Sequence, residues 1–286
     1  MPELPEVETV ANSVDRRARG DVILSTWFSS HKEPFKTPPA ALAEALAGRR
    51  IARVHRVGKH VVVDLAPPAA RPSPHQPLHQ RRAKQSPAAT QLLVHLGMTG
   101  QLLVADPRVP QPAHTHAVLQ LASGRELRFV DPRRFGRLAL AEEPFTGPGT
   151  EPLTVGVEDF AALFCGRKLA IKPALLNQKL LHGVGNIYAD ESLFRARIRP
   201  TRRAGRLNRA ELERLRKALR AVLQAAIRAG GSSISDYVDA DGAPGFFQIQ
   251  HRVYGREGQA CRVCGGPIRR IVLGGRSTHF CPHCQK

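Results

Sequence analysis

The sequence predicts an α+β fold: an N-terminal antiparallel β-sandwich with flanking helices, a helical middle and a C-terminal zinc hairpin. Three observations predict it. Residues 51–65, 91–104 and 117–140 are rich in Val and Leu and alternate in places. They are broken by Gly58-Lys59, Gly97 and Ser123-Gly124, as strands and hairpins are. Past Gly147-Pro148 the apolar spacing lengthens to that of a helix. The last 26 residues hold Cys261-x-x-Cys264, sixteen intervening residues and Cys281-x-x-Cys284, the ligand spacing of a tetrahedral structural zinc site.

In chain order, Val7, Val10, Ala11 and Val14 recur at helical spacing after Pro5, and Gly20 closes that helix. The strand-rich stretch follows, interrupted at 67–90 by six prolines, four Lys or Arg, two His and no acid. That composition supports neither strand nor helix and reads as an exposed, mobile insertion. Further on, Asn208 and Glu211 form a capping box. Leu212, Leu215, Leu219, Val222, Leu223 and Ile227 then make one apolar stripe, ended by Gly230-Gly231. Such a stripe is core packing. Residues 239–245 (Asp-Ala-Asp-Gly-Ala-Pro-Gly) are a loop. The expected boundaries are 1–148 for the β-rich domain, 149–235 for the helical one, 236–250 for the loop and connection, and 251–286 for the zinc segment.

The 286 residues suffice for two modest cores. Lys and Arg number 43 against 24 Asp and Glu, a net charge of +19, which calls for a polyanionic partner, most simply nucleic acid. The loop between the cysteine pairs carries Arg269, Arg270, Arg276 and His279 and no carboxylate, which suits a phosphate backbone. Two disulfides would use the same four thiols, but nothing else in the chain looks secreted. The first eight residues hold three glutamates and no apolar stretch, unlike a signal peptide. No run of about 20 apolar residues exists to span a membrane. A reducing cytoplasm and one zinc ion per chain are the expectation. Cys165, the fifth cysteine, reads as a small buried side chain within 160–169.

Four segments could carry chemistry. Met1-Pro2-Glu3-Leu4-Pro5-Glu6 places a proline where removal of the initiator methionine leaves a secondary amine. An α-amine titrates near about 7.7–8.0 against about 10.4 for lysine, so more of it is free base at neutral pH. Such an amine can attack an electrophilic carbon and form an iminium, with Glu3 and Glu6 within a turn as acid or base. Alone, Pro-Glu at a helix start is ordinary composition. Gly183-Val184-Gly185-Asn186 opens a helix whose backbone N–H groups could receive a phosphate, with Asn186 adding side-chain donors. Asp131-Pro132-Arg133-Arg134-Phe135-Gly136 is a rigid turn with two guanidiniums and an aromatic, suited to entering a base stack. Met98 lies between glycines in His95-Leu96-Gly97-Met98-Thr99-Gly100, where a core role is its default.

Together these independent, correctly ordered motifs resemble the formamidopyrimidine-DNA glycosylases, relatives of endonuclease VIII. The resemblance runs from the Pro2–Glu6 motif to Cys281-Pro282-His283-Cys284 and leaves out only the long 67–90 insertion. It implies a helix-two-turn-helix in the middle of the chain. It also implies excision of oxidised purines, chiefly 8-oxoguanine and formamidopyrimidines, from damaged duplex DNA during base excision repair, followed by strand cleavage. On that resemblance Pro2 is the nucleophile at C1′ of the flipped nucleotide. Glu3 donates and accepts the proton that opens the sugar, and Glu6 supports the amine and the damaged base. Lys59, in Val57-Gly58-Lys59-His60, holds a phosphate beside the lesion, and Asn186 and Arg276 grip flanking phosphates. Met98, Arg133 and Phe135 fill the vacated stack, with Arg133 facing the orphaned cytosine. His95 and Lys172 complete the DNA contacts. Flipping costs a few kcal/mol, which wedge residues offset in part. The resemblance further implies a monomeric enzyme of the cytoplasm, associated with the nucleoid.

Leu4, and the 239–247 loop ending in Pro244-Gly245-Phe246-Phe247, resemble the purine-specific branch and its lesion-capping loop. Phe246 stands where tyrosine is usual, and Asn177 where aspartate is usual, a backbone-capping position asparagine can fill. His182 before Gly183 also departs from the pattern. Two other readings compete. An oxidised-pyrimidine glycosylase is opposed by Leu4 and the intact loop. A non-catalytic zinc-hairpin DNA binder leaves the joint presence of Pro2, Glu3, Glu6 and Lys59 unexplained.

Overall fold

The computed structural model describes residues 2–67, 90–233 and 237–286, so most of the 67–90 insertion lies outside the described residues. The chain forms two compact units. One is built from Pro2, Val7–Thr146 and residues 237–243, the other from Glu3–Glu6, residues 147–233 and Pro244–Lys286.

The first unit is a sandwich of two four-stranded antiparallel sheets. Its elements are α1 (Leu4–Ala18, from Val7 onward), β1 (Ile23–Phe28), α2 (Pro39–Leu46), β2 (Arg50–Val57), β3 (His60–Ala66), β4 (Thr90–His95), β5 (Gln101–Ala105), β6 (Thr115–Leu121), β7 (Glu126–Val130) and β8 (Arg137–Ala141). The sheets run β1-β6-β7-β5 and β2-β3-β4-β8. Their inner faces share one core, in which Val54, Val63 and Val94 meet Val104, Leu119 and Phe129. The α1 stripe Val7, Val10, Ala11 and Val14 closes onto that core, as its spacing predicts. Asp239 accepts from the backbone N–H groups of Asp241 and Ala243, both at 2.9 Å, and so closes its loop as an Asx turn. Asp241 in turn takes the Ser13 hydroxyl at 3.1 Å and pairs with Arg17 of α1.

Central strand β7 is buried on both faces, yet it carries Glu126 and Arg128. Arg128 is 1% exposed. Its Nε donates to Glu126 at 2.6 Å, and its terminal nitrogens donate to the carbonyls of Asp106, Val109 and Pro110 at 2.9–3.3 Å. A guanidinium thereby pins the 106–110 loop over the outer face of the sheet.

The second unit is helical and ends in the metal hairpin: α3 (Val157–Ala162), α4 (Ile171–Leu176), α5 (Asn186–Arg195), α6 (Arg209–Arg228), β9 (Arg269–Leu273) and β10 (Arg276–Phe280). The predicted capping box starts α6: Asn208 accepts from the Glu211 N–H and Glu211 from the Asn208 N–H, both at 2.9 Å. Leu215, Leu219 and Leu223 of α6 bury against Tyr188, Leu193 and Phe160. Asn177 is the C-cap of α4: its backbone N–H donates to the Ala174 carbonyl at 3.2 Å, and its side chain accepts the Lys179 N–H at 3.0 Å. Cys165 departs from expectation and is exposed. Phe160 and Phe164 occupy the core, so the side chain one position past Phe164 points outward. No helix among the described residues is long and apolar enough to cross a membrane.

Arg128→Ala strands a buried carboxylate and three carbonyls, and is expected to cost about 3–5 kcal/mol of stability in denaturant unfolding. The pair replacement Glu126→Gln with Arg128→Met removes both charges and is expected to cost clearly less.

Candidate active site and nucleic-acid interface

The carboxylate of Glu3 sits at the start of α5. It accepts the backbone N–H groups of Ile187 at 3.1 Å and Tyr188 at 3.4 Å, where a helix presents unpaired donors and its positive end. The N-cap residue of α5, Gly185, has no side chain to do this itself. A Cβ there would lie 2.2–2.6 Å from the Glu3 side chain, so glycine is the residue that admits Glu3. This corrects the expectation of an open phosphate site at those amides: an intramolecular carboxylate already occupies it.

Glu3 also precedes α1, and Glu6 at the third helical position accepts the Glu3 N–H at 2.8 Å, the return half of a capping box. Glu6 further accepts the Ser232 N–H at 2.8 Å and the Tyr188 hydroxyl. Burial pushes the Glu6 carboxyl above the usual carboxylate range, against the pull of those donors. Leu4 N–H donates to the Gly183 carbonyl at 2.9 Å, and Gly183 takes a φ of +88°, a left-handed geometry that favours glycine. His182 is buried and its Nε2 lies 3.1 Å from Glu151, which ties this glycine turn to the 150–151 segment. Pro2 is buried immediately before Glu3 in the chain.

Asn186, the first residue of α5, donates to Ser277 Oγ at 3.2 Å, which brings it beside Arg276 at the start of β10. Arg276 follows the Gly274-Gly275 turn and is exposed. Lys172 stands apart from these predicted DNA contacts. It is fully buried, ion-paired to Asp190 at 2.7 Å, and donates to Ser277 O at 2.6 Å and Thr278 Oγ1 at 2.9 Å. Burial pulls its ammonium down, and Asp190 opposes that. With every donor turned inward, Lys172 positions β10 rather than meeting a phosphate.

Asp190 and Glu191, which sequence reasoning missed, anchor the hairpin. Asp190 accepts the His279 N–H at 2.8 Å; Glu191 accepts the N–H groups of Arg252, Val253 and Tyr254 at 2.8–3.1 Å. The available signal was two adjacent acids between the apolar runs Ile187–Ala189 and Leu193–Phe194 of one helix. The Sγ atoms of Cys261, Cys264, Cys281 and Cys284 all lie within 4.8 Å of one another. Zn–S bonds of about 2.3 Å in a tetrahedron require Sγ pairs about 3.8 Å apart. The Cys261–Cys284 and Cys264–Cys281 pairs stand at 3.9 and 3.5 Å, so the four thiols fit one zinc ion.

His251 lies in a chain of edge-to-face and tilted rings from Tyr188 through Phe247 to Tyr254 and His279. Its Nε2 is 3.1 Å from the hydroxyl of Ser232, the residue whose N–H meets Glu6.

In the sandwich unit, Lys59 stands at the tip of the β2–β3 hairpin, after Gly58 at φ +60°. Arg56 braces that tip, donating to Glu8 at 2.6 Å and to the Gly58 carbonyl at 3.2 Å. His95 packs 5.0 Å from His60, and its Nδ1 accepts the Gly97 N–H at 3.1 Å. Burial, then Lys59 and Arg137, hold His95 below its ordinary value, which favours the neutral ring.

Met98, Arg133 and Phe135 come together on two loops. The Arg133 guanidinium lies 5.0 Å over the Phe135 ring, and Met98 and Phe135 are 39% and 49% exposed. A Cβ on Gly97 would lie 2.5 Å from the Gly136 nitrogen, which fixes how closely the loops approach. Asp131, which begins the Arg133–Phe135 turn, staples them. Fully buried, it accepts from Thr99 Oγ1 at 2.6 Å, Gly136 N–H at 2.7 Å and Arg133 N–H at 3.3 Å.

The architecture defines a zinc-hairpin protein with an N-terminal sandwich and a helix-two-turn-helix core. Family models describe the same three parts. Residues 1–138 match the formamidopyrimidine-DNA glycosylase N-terminal domain, 147–238 its H2TH domain, and 258–286 a zinc finger found in FPG and IleRS. The formamidopyrimidine-DNA glycosylase of Solibacter usitatus is 44% identical and that of Herpetosiphon aurantiacus 41%, each over the whole of both chains. Among solved structures, the MutM (Fpg) protein of Thermus thermophilus is 39% identical, with a TM-score of 0.81 over 99% of this chain and 98% of its own. A Lactococcus lactis Fpg variant in complex with a Fapy-dG-containing DNA is 31% identical, with a TM-score of 0.84 over both full chains. This chain belongs to the formamidopyrimidine-DNA glycosylase family.

Burial lowers the His251 pKa from 6.5 to about 4. The unfolded chain therefore binds the proton more tightly, and this contribution is whole above pH 6.5 and lost as pH falls towards 4. The loss reaches about 3 kcal/mol at the acid end. His251→Gln is expected to flatten the acid limb of the stability–pH curve by that order, read by denaturant unfolding at successive pH values.

Proposed function

We propose that this protein is a bifunctional DNA glycosylase and AP lyase that removes oxidised purines, 8-oxoguanine and formamidopyrimidines, from duplex DNA opposite cytosine. The observation that carries the reading is the Glu3 carboxylate, fixed by two backbone donors of α5 across a glycine that leaves room for it, one residue after Pro2. General acid–base work needs a positioned proton-transfer group before anything else, and a carboxyl can serve.

In this mechanism the Pro2 nitrogen, freed of Met1, attacks C1′ of the flipped nucleotide, and the C1′–N bond to the damaged base breaks. Glu3 takes the proton that the attacking nitrogen gives up and delivers it to the ring oxygen as the sugar opens; the base leaves with the electron pair of its broken bond, and the freed nitrogen lone pair closes an iminium at C1′. The iminium withdraws electrons from C2′. Loss of its proton expels the 3′-phosphate, and a second elimination expels the 5′-phosphate. Glu6, whose burial favours the protonated form, lies beside the Glu3 backbone and supports the amine and the damaged base. Lys59, Asn186 and Arg276 hold phosphates, and Met98, Arg133 and Phe135 enter the vacated stack, with Arg133 towards the cytosine. His95 shapes the 95–100 loop behind Met98. The four cysteines hold one zinc ion that shapes the hairpin and takes no part in bond making. The protein works as a monomer in the cytoplasm, on the nucleoid.

Borohydride is expected to trap the protein on a duplex with one 8-oxoguanine opposite cytosine, and the adduct to map by mass to Pro2. Pro2→Gly or retention of Met1 is expected to abolish the adduct at that residue. Specific DNA binding with no adduct in any form would remove the enzyme and leave a zinc-hairpin DNA binder. Gly185→Ala, which pushes a methyl group into the Glu3 carboxyl, is expected to slow single-turnover base excision by roughly 10²-fold or more. Binding to an abasic-analogue duplex should stay within several-fold of the parent.

A further inference from the structure

Away from the start of α5, the helical unit contains a cavity of about 580 Å³, within the size range of ligand sites. Its floor is apolar: Phe194 near the end of α5, Val222 and Ala225 of α6, and Phe247. Four arginines also line it, Arg195, Arg197, Arg252 and Arg262, all exposed. No ion pair to any of the four occurs among the described residues. Glu191, the one carboxylate in the lining, is buried and spent on three backbone N–H groups, so it does not neutralise them. Arg197 adopts φ +57° just past α5, where glycine is the ordinary choice, so a long cation stands at an uphill backbone position. Ile249 and Val263, also in the lining, are 69% and 62% exposed and extend the apolar surface.

We propose that this cavity is a docking site for an acidic segment of a partner protein that inserts a large apolar side chain. Unpaired guanidiniums around an apolar floor are complementary to carboxylates flanking a hydrophobic anchor. A stacked duplex offers the charge but keeps its base faces inside the stack, so it presents no large apolar group to fill the floor. The end of α5 also lies roughly 13 Å along the helix from Asn186, at 1.5 Å per residue, away from the proposed phosphate contacts.

The test uses the zinc-loaded full chain and a fluorescein-labelled peptide in which aspartates flank one Ile and one Phe. Saturable binding is expected by fluorescence anisotropy at physiological salt. It should weaken at least about tenfold when Ile and Phe become Ser, and by a similar factor in Arg262→Glu and in Ala225→Phe, which fills the cavity. Base excision should be unchanged in both variants. If Ala225→Phe does not fold, the exposed pair Arg195→Glu with Arg262→Glu decides instead. No binding, equal binding of the Ser peptide, or indifference to the variants overturns the proposal, leaving only general attraction to a cationic chain. Full displacement by an undamaged duplex overturns it too, and gives the surface to nucleic acid.

Discussion

Helix α5 is held by carboxylates along its length, and the helical unit depends on that. Glu3 neutralises its amino end, Asp190 takes Lys172 and the His279 amide, and Glu191 takes three consecutive amides of the 252–254 segment. Each is a buried carboxyl group meeting several donors, which is when burying one is tolerable. One helix thereby fixes the catalytic candidate Glu3 and the hairpin bearing Arg276. Because Asp190 and Glu191 are adjacent, they leave on different sides of the helix and fasten two separate segments.

The sandwich unit solves a different problem. The loops carrying Met98, Arg133 and Phe135, proposed to enter a base stack, must expose apolar and cationic groups while their backbone stays rigid. Met98 and Phe135 are exposed, and neither loop could hold them alone. Asp131 joins the loops from beneath with three hydrogen bonds, and Gly97 lets them close to van der Waals distance. The same device, a buried polar group accepting from loop backbone or supplying donors to it, recurs at Arg128.

Much of this was legible in the residues. The α1 stripe, the α6 capping box, the hairpin at Gly58-Lys59 and the cysteine quartet each rest on chemistry within a few positions, so spacing alone reveals them. Lys172 was legible as a cation but not as a buried one, because burial is decided by Asp190, Ser277 and Thr278, far from it along the chain. Cys165 failed for a similar reason: an apolar neighbourhood does not say which residue of a helix end faces in.

The sequence by itself determined the fold class, the metal ligands and the family, since those follow from periodicity, ligand spacing and ordered motifs. Only the tertiary structure decided where the charges end. A helix amino terminus looks the same in sequence whether it awaits a phosphate or already holds Glu3. Electrostatic partners are chosen by distance in space, and those distances are set by packing between segments that local sequence does not connect.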